Sequence, residues 1–567
     1  MTIRMMAAGV AALVMAACTS EPPEPPTPDT ATARSVTGGE IVGFIDTATG
    51  AQVWQGVPFA AAPAGDLRWR APRPTPAWEG TREMLTHPEV CPQITNALNA
   101  QATGAEPGQL VGSEDCLKLD IYAPAGAGAD DADRPVMVWI HGGANVWGSA
   151  SQYDGAQLAV DQDVVVAVIQ YRLGPLGFFA HPDLAADAEV DADRAGNFAL
   201  LDQIAALEWI RDNAAQFGAD AGNVTIFGES AGGHNVAGLL ASPMANGLFH
   251  RAIIQSGSFV STPLAEAQSD GEFSAVAAAQ RFAGEAGADS IRSAPLQAVY
   301  DAYAGQGLAD GLPRMIQDNV TIPDTPLAQA FSSPDTFNAV PVITGTNKDE
   351  LKLFNILDPE LTNRWFGVII RVEDQDFFDA LSDYQSRLWR IMAVDRPAAR
   401  LTEGGHDAVW AYRFDWDEGG TMAFMDMSRL LGAAHAMEIP FVFNHFDFFG
   451  RLDPALFNDN NAAGRQAVAD SMGAYWAEFA RTGEPGAAGG PDWPRWGEAG
   501  VLMRFDSPQS GGPEVIRGPD SVARLGAELA ADERLTRAQR CAIRERLVFW
   551  RTEIEDLPDM GCDSEGA

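Results

Sequence analysis

The sequence predicts an α/β fold: a large, mainly parallel central sheet with helices on both faces. Three observations predict it. Five apolar, β-branched runs (Pro135 to His141, Val164 to Tyr171, Asn223 to Phe227, His250 to Gly257 and Pro341 to Thr346) are continuous rather than alternating, as in parallel strands covered on both sides. Helical stretches separate several of them, which gives right-handed crossover units. Glycine-rich turns then follow two of the runs directly, HGGANVWGS at His141 to Ser149 and GESAGG at Gly228 to Gly233.

Taken in chain order, the N-terminus is Arg4, an uncharged apolar stretch from Met5 to Ala17, and Cys18. This is the layout of a secretory signal, too short to span a bilayer. Its ending, Met15-Ala16-Ala17-Cys18, resembles a bacterial lipobox with Met where Leu is usual, so that Cys18 becomes a lipidated mature N-terminus. The other reading is an ordinary signal peptide cut nearby. Either way the chain is exported, as an outer-membrane or periplasmic lipoprotein or as a secreted protein. Residues 19–35, rich in Pro, Thr and acids, read as a tether, and residues 36–562 as a single domain.

Within that domain, Gly38 to Ala60 alternates like antiparallel strands joined by a turn at Thr49-Gly50. Asn197 to Gly218 carries apolar residues at helical spacing and stops at glycine. Ser261 to Asp335 and Leu351 to Arg400 lack strong strand signals and are expected to lie over the sheet as helical or irregular insertions. After Cys18 four cysteines remain, Cys91, Cys116, Cys541 and Cys562. In an exported chain an even number points to disulfides, and neighbours in sequence are the simplest pairs. No CxxC pair and no HExxH helix is present, so no metal site or cofactor is expected.

Of 567 residues, 46% are hydrophobic and 20% charged, ordinary for a soluble globular protein. The 77 acidic residues outnumber 38 Lys and Arg, giving −39, which opposes phosphate backbones and sets nucleic-acid binding aside. The sequence does not fix an oligomeric state.

The turn Gly228-Glu229-Ser230-Ala231-Gly232, between an apolar strand and a helical run, fits the G-x-S-x-G nucleophile elbow. Small neighbours let strand and helix approach while Ser230 takes a strained conformation at a helix N-terminus. A nucleophilic serine needs an oxyanion hole and a base. The backbone amides of Gly143 and Ala144, with that of Ala231, can converge on an oxyanion; Ala144 stands where a third glycine is common. For the base, His435 sits among small residues, with His406 and His445 as alternatives, while His234 and His250 read as structural. For the acid, Asp349 and Glu350 both follow a strand, and spacing does not choose between them.

The ordered motifs WQGVPFAAAPAGDLRWRAP (Trp54 to Pro72), SEDCLKLDIYAP (Ser113 to Pro124), HGGANVWGS, YRLGPLGFF (Tyr171 to Phe179), FGESAGG, HRAIIQSG, GTNKDE, GAAHAMEIPFVF, WAEFARTGEP (Trp476 to Pro485) and WPRW cover most of the chain. By these it resembles the type B carboxylesterase family, which includes cholinesterases. The resemblance implies an α/β-hydrolase fold and a serine carboxylesterase acting on a small-molecule ester without a cofactor. It implies Ser230, Glu350 and His435 as the triad, Cys91–Cys116 as the family's first disulfide, and Ser256 as a buried serine supporting the triad, with Glu229 beside the nucleophile also supporting it.

Cholinesterases carry a tryptophan in the first disulfide loop, whereas the loop from Cys91 to Cys116 here has no aromatic residue, so a choline ester is disfavoured. A small or medium carboxylic ester is the expected substrate. Asn145 replaces a usual aromatic and is expected to make the pocket more polar or roomier. Phe259, Trp365, Phe366, Trp389 and Phe424 are candidates for the entrance. The retained triad argues against a non-catalytic adhesion domain such as a neuroligin, and the family motifs favour esters over amides.

Overall fold

The computed structural model describes residues 25–562, leaving out 129, 131–132, 285–286, 304–310, 366–368, 498, 549–556, 558–559 and 561. The signal segment and Cys18 lie outside the described residues. The tether expected through residue 35 ends sooner: Asp29 caps the turn Thr30–Thr32, whose Thr32 is buried. Arg34 then opens the short strand Arg34–Val36, donates to Gln52 (2.7 Å) and lies 5.0 Å over the Trp54 ring.

Eleven strands build the central sheet: β1 Phe44–Ile45, β2 Gln52–Pro58, β3 Lys118–Ala123, β4 Arg134–Ile140, β5 Val165–Ile169, β6 Ala219–Glu229, β7 Arg251–Gln255, β8 Val342–Asn347, β9 Val409–Phe414, β10 Val501–Phe505 and β11 Glu514–Arg517. They lie side by side in the order β11-β10-β9-β8-β7-β6-β4-β5-β3-β2-β1. The stretch from β10 to β5 is parallel, and antiparallel strands close both ends. Strands β4 to β8 are the five runs read from sequence, and the Gly50 turn joins β1 to β2 as expected. Strands β9 and β10 escape such a reading because each carries an arginine near its end. Arg413 pairs with Asp415 at 2.5 Å and Arg504 with Glu514 at 2.9 Å, so neither strand is a pure apolar run.

The alternation of β4 shows how the sheet divides the interior. Val136, Val138 and Ile140 enter one core, while Met137 and Trp139 enter the other. Helices α1 Phe198–Asn213 and α2 Ala231–Ala241 fill the first side. Helices α3 Gln375–Arg390 and α4 Ala462–Thr482 fill the second, where Trp476 and Phe479 are fully buried. Burying each such side chain stabilises the fold by roughly 1.5–3 kcal/mol. The helical run after Asn197 ends at Gly218, whose φ of 78° reverses the chain into β6. In the insertions, two short pairings occur where helix or loop was expected: Thr262–Pro263 with Ile316–Gln317, and Thr362–Trp365 with Ile369–Val372. The latter follows from its β-branched residues.

Both sequence-adjacent disulfides are present, Cys91–Cys116 and Cys541–Cys562, with Cα separations of 5.1 and 5.5 Å. Loops of this size gain about 3–4 kcal/mol from closure.

Candidate active site

Strand β6 ends at Glu229, α2 begins at Ala231, and Ser230 between them has φ 57° and ψ −120°. Such a conformation costs about 1–3 kcal/mol and persists only where its surroundings over-determine it. Here Ser230 N donates to Gln255 O (2.9 Å) and Ser230 O accepts from His234 N (2.9 Å). The small neighbours are steric necessities. A methyl group on Gly232 would sit 1.9 Å from Ile140 O, on Gly228 2.6 Å from the same oxygen, and on Gly233 2.9 Å from Gln255 O. The head of α2 is therefore pressed against the ends of β4 and β7. Among the described residues the Ser230 hydroxyl makes no hydrogen bond.

Glu350 lies in the turn after β8 and is fully buried. Its Oε1 accepts from Ser256 Oγ (2.5 Å), Thr346 Oγ1 (2.7 Å) and Asn347 N (2.7 Å), and its Oε2 faces His435 Nδ1 at 2.5 Å. Burial pushes this carboxyl up, but the imidazolium and the donors outweigh burial and hold it below its ordinary range. The neighbouring Asp349 points elsewhere: it accepts from Ala433 N and pairs with Lys352 at 3.0 Å, holding the loop that carries His435.

Two further carboxylates surround the imidazole. Glu229 Oε1 lies 3.0 Å from His435 Nε2, off the line a hydrogen bond requires, and both atoms stay without a hydrogen-bond partner among the described residues. Burial raises the Glu229 carboxyl to about 8, with the charges of Glu438 and Glu350 adding to the rise against the pull of His435. Burial lowers the basicity of His435, yet Glu229 and Glu350 outweigh that and bring it to about 9. Glu438, which the sequence reading did not single out, is buried where Asn347 Nδ2 (2.6 Å) and Gln255 Nε2 (3.1 Å) donate to it. Burial and Glu350 raise its carboxyl. Only its place three residues after His435 could have marked it.

The loop after β4 faces Ser230 from the other side. A methyl on Gly142 would lie 3.3 Å from Ser230 Cβ and 2.9 Å from Glu229 Oε2. Gly143, Ala144 and Asn145 all have positive φ, of 102°, 54° and 59°. For Ala144 this costs about 1–2 kcal/mol. Among the described residues, the amides of Gly143, Ala144 and Ala231 donate to no backbone carbonyl outside their own elements. Asn145 does not enlarge the pocket as expected; it is fully buried and pairs with Asn235 of α2.

The remaining histidines have other partners. His234 Nε2 meets Val260 O at 2.7 Å, and burial lowers its imidazole to about 4, while His250 Nδ1 accepts from Val224 N at 3.1 Å. His406 Nε2 meets Val340 O at 2.9 Å, and the backbone of His445 donates to Pro440 O. Of the entrance aromatics, Trp389 lies 5.0 Å from the His435 ring, joined by Phe354 at 5.1 Å, which the sequence reading missed. Phe259 is instead buried against Phe331, Phe424 stands 99% exposed at a hairpin tip, Phe366 lies outside the described residues, and of Trp365 only the backbone is described.

A model of the "Carboxylesterase family" matches residues 30–365 and 359–511. The para-nitrobenzyl esterase of Bacillus subtilis is 32% identical over 477 residues, 80% of this chain and 90% of that one. The cocaine esterase of Homo sapiens is 33% identical over 499 residues, 81% of this chain and 85% of that one. A carboxylesterase structure from Geobacillus stearothermophilus superimposes with a TM-score of 0.66 at 31% identity, covering 86% of this chain and 98% of that one. The mixed sheet is thus an α/β-hydrolase fold. With one family model spanning both halves of the sheet, and esterases a third identical along most of their own length, the chain belongs to the carboxylesterase family and is a carboxylic ester hydrolase.

Proposed function

We propose that the chain hydrolyses small to medium carboxylic esters in two acyl-transfer steps, with Ser230 as nucleophile, His435 as base and Glu350 as its orienting acid. One observation carries the reading. A strained serine heads a helix, and Glu229, the residue before it, lies 3.0 Å from the Nε2 of an imidazole whose Nδ1 is held at 2.5 Å by a buried carboxylate and whose Nε2 has no hydrogen-bond partner among the described residues. Ser230 Oγ attacks the ester carbonyl as its proton passes to His435 Nε2. The amides of Gly143, Ala144 and Ala231 receive the oxyanion. Collapse breaks the C–O bond, and the alcohol leaves with the proton from His435. Water, deprotonated by the same nitrogen, then releases the acid and restores Ser230. Glu350 keeps the Nδ1 proton in place throughout. The indole of Trp389 and the ring of Phe354 offer the leaving group an apolar wall.

The test is hydrolysis of p-nitrophenyl acetate, butyrate and palmitate beside Ser230→Ala. Fast turnover of the short esters, reduced more than ~10⁴-fold by the substitution, is expected. No turnover of any ester by the folded protein overturns the reading. We further infer export through the N-terminal signal with lipid on Cys18; the mass of the mature N-terminus in membrane extracts tests it, and an unmodified terminus beyond Cys18 rules the anchor out.

A further inference from the structure

We propose that Asn145 and Asn235 form a carboxamide clamp that positions the oxyanion loop, with Arg314 bracing the loop from its other side; this rests on the reading of Gly143, Ala144 and Ala231 as the oxyanion hole. The two side chains exchange both hydrogen bonds, Asn145 Nδ2 to Asn235 Oδ1 at 3.1 Å and Asn235 Nδ2 to Asn145 Oδ1 at 2.9 Å. Both residues are 0% exposed. Asn145 follows Ala144 directly, and Asn235 lies one helical turn beyond Ala231. The pair therefore ties together the two segments that carry the three oxyanion donors.

The loop needs such a tie. Ala144 and Asn145 are successive left-handed residues without a glycine, at φ 54° and 59°. An alanine relaxes readily to negative φ, which would turn the peptides on either side of it. Every carbonyl of the turn is engaged against that change. Gly143 O accepts from Val146 N (3.0 Å) and Trp147 N (3.1 Å), and Asn145 O accepts from Gly174 N (2.7 Å). Ala144 O accepts from Arg314 Nη1 at 2.7 Å. With the carbonyls held outward, the Gly143 and Ala144 amides stay free for substrate. The carboxamide pair is the strongest restraint, since breaking it strands two donors and two acceptors away from water. Asn145, Asn235 and Arg314 touch no substrate in this reading; they are positioning residues acting through Ala144.

The test compares Asn235→Ala, Asn145→Ala, their combination and Arg314→Met in the full chain. The readouts are kcat and KM for p-nitrophenyl butyrate, Ki for a trifluoromethyl ketone that adds to serine and forms an oxyanion, and Tm. Asn235→Ala is expected to lower kcat roughly 10–100-fold with KM within about threefold, and to weaken the ketone by a similar factor. The double variant is expected to lose no more than the worse single one. Ala144→Gly added to Asn235→Ala is expected to recover about fivefold or more, because glycine adopts positive φ without the clamp. Arg314→Met, which leaves the buried pair intact, is expected to lower kcat and ketone affinity together by ~3–10-fold, and reads out the bracing should the asparagine variants not fold. Asparagine variants that lose Tm while kcat and Ki stay within about twofold of wild type would overturn the clamp, as would an additive double variant or no recovery from the glycine. A wild-type protein that neither turns over the ester nor binds the ketone would instead overturn the reading of the site itself.

Discussion

Glu350 and Glu229 press on the same imidazole from opposite nitrogens, both buried, and their protons are held in opposite ways. Glu350, at Nδ1, is met by Ser256, Thr346 and the amide of Asn347, and its carboxyl is held below its ordinary range. Glu229, at Nε2, has Glu438 and Glu350 for neighbours and no such ring of donors, and its carboxyl rises to about 8. Burial raises both; at Glu350 the imidazolium and the ring of donors outweigh it, and at Glu229 the charges of Glu438 and Glu350 add to it. The site thus keeps one dependable anion behind the imidazole and, in front of it, one carboxyl whose charge is tied to that of the imidazole.

The most severe way to break this contrast is Glu350→Gln, which keeps the shape and removes the charge. A kcat loss of ~10⁴ is expected in steady-state assays, against less than about tenfold for Glu229→Gln. Equal losses would mean that the two acids are not distinct in role. Next, Ser256→Ala with Thr346→Val strips two of the three donors from Glu350 Oε1 and is expected to lower kcat by ~10–100-fold. Glu229→Gln sharpens the comparison through pH. Glu229 is the largest influence raising His435 towards 9. Losing it disfavours the imidazolium, so the acidic limb of the kcat/KM profile is expected to move down by roughly one unit. An unmoved limb would show that Glu229 does not act on the base.

The smallest expected effect is on stability. The Glu229 carboxyl is raised in the folded state, so its contribution is complete below about 4.5 and is lost as pH climbs through about 8. Glu229→Gln is therefore expected to melt ~1–3 °C above wild type at pH 9 with no gain at pH 4, by calorimetry. Glu350 has the opposite sign: its depressed carboxyl supports the fold above 4.5, and that support disappears as acid protonates it.

What could be read from the sequence was what lies close together in it. The elbow around Ser230, the turn at Gly143 and Ala144, the strands β4 to β8 and both cysteine pairings are carried by neighbouring residues. The choice of Glu350 over Asp349 came through resemblance alone, since both follow β8 and only the fold turns one towards His435 and the other towards Lys352. Glu438, Gln255 and Asn347 were missed because their meeting depends on three separate segments converging. Asn145 was misjudged for a related reason. Its side chain direction is set by a left-handed backbone, and its partner Asn235 lies 90 residues away.

The contact of Gly232 with Ile140 O carries a consequence for how this enzyme can vary. Space for even one methyl is missing there, and the obstacle is a backbone carbonyl that cannot rotate aside. Position 232 is therefore closed to any residue but glycine, in selection and in directed evolution alike. New substrate ranges are left to the side chains above the imidazole, which Phe354 and Trp389 reach from the segment after β8. The chemistry of the lineage is fixed by a gap too narrow to fill, and its diversity is left to the loops above.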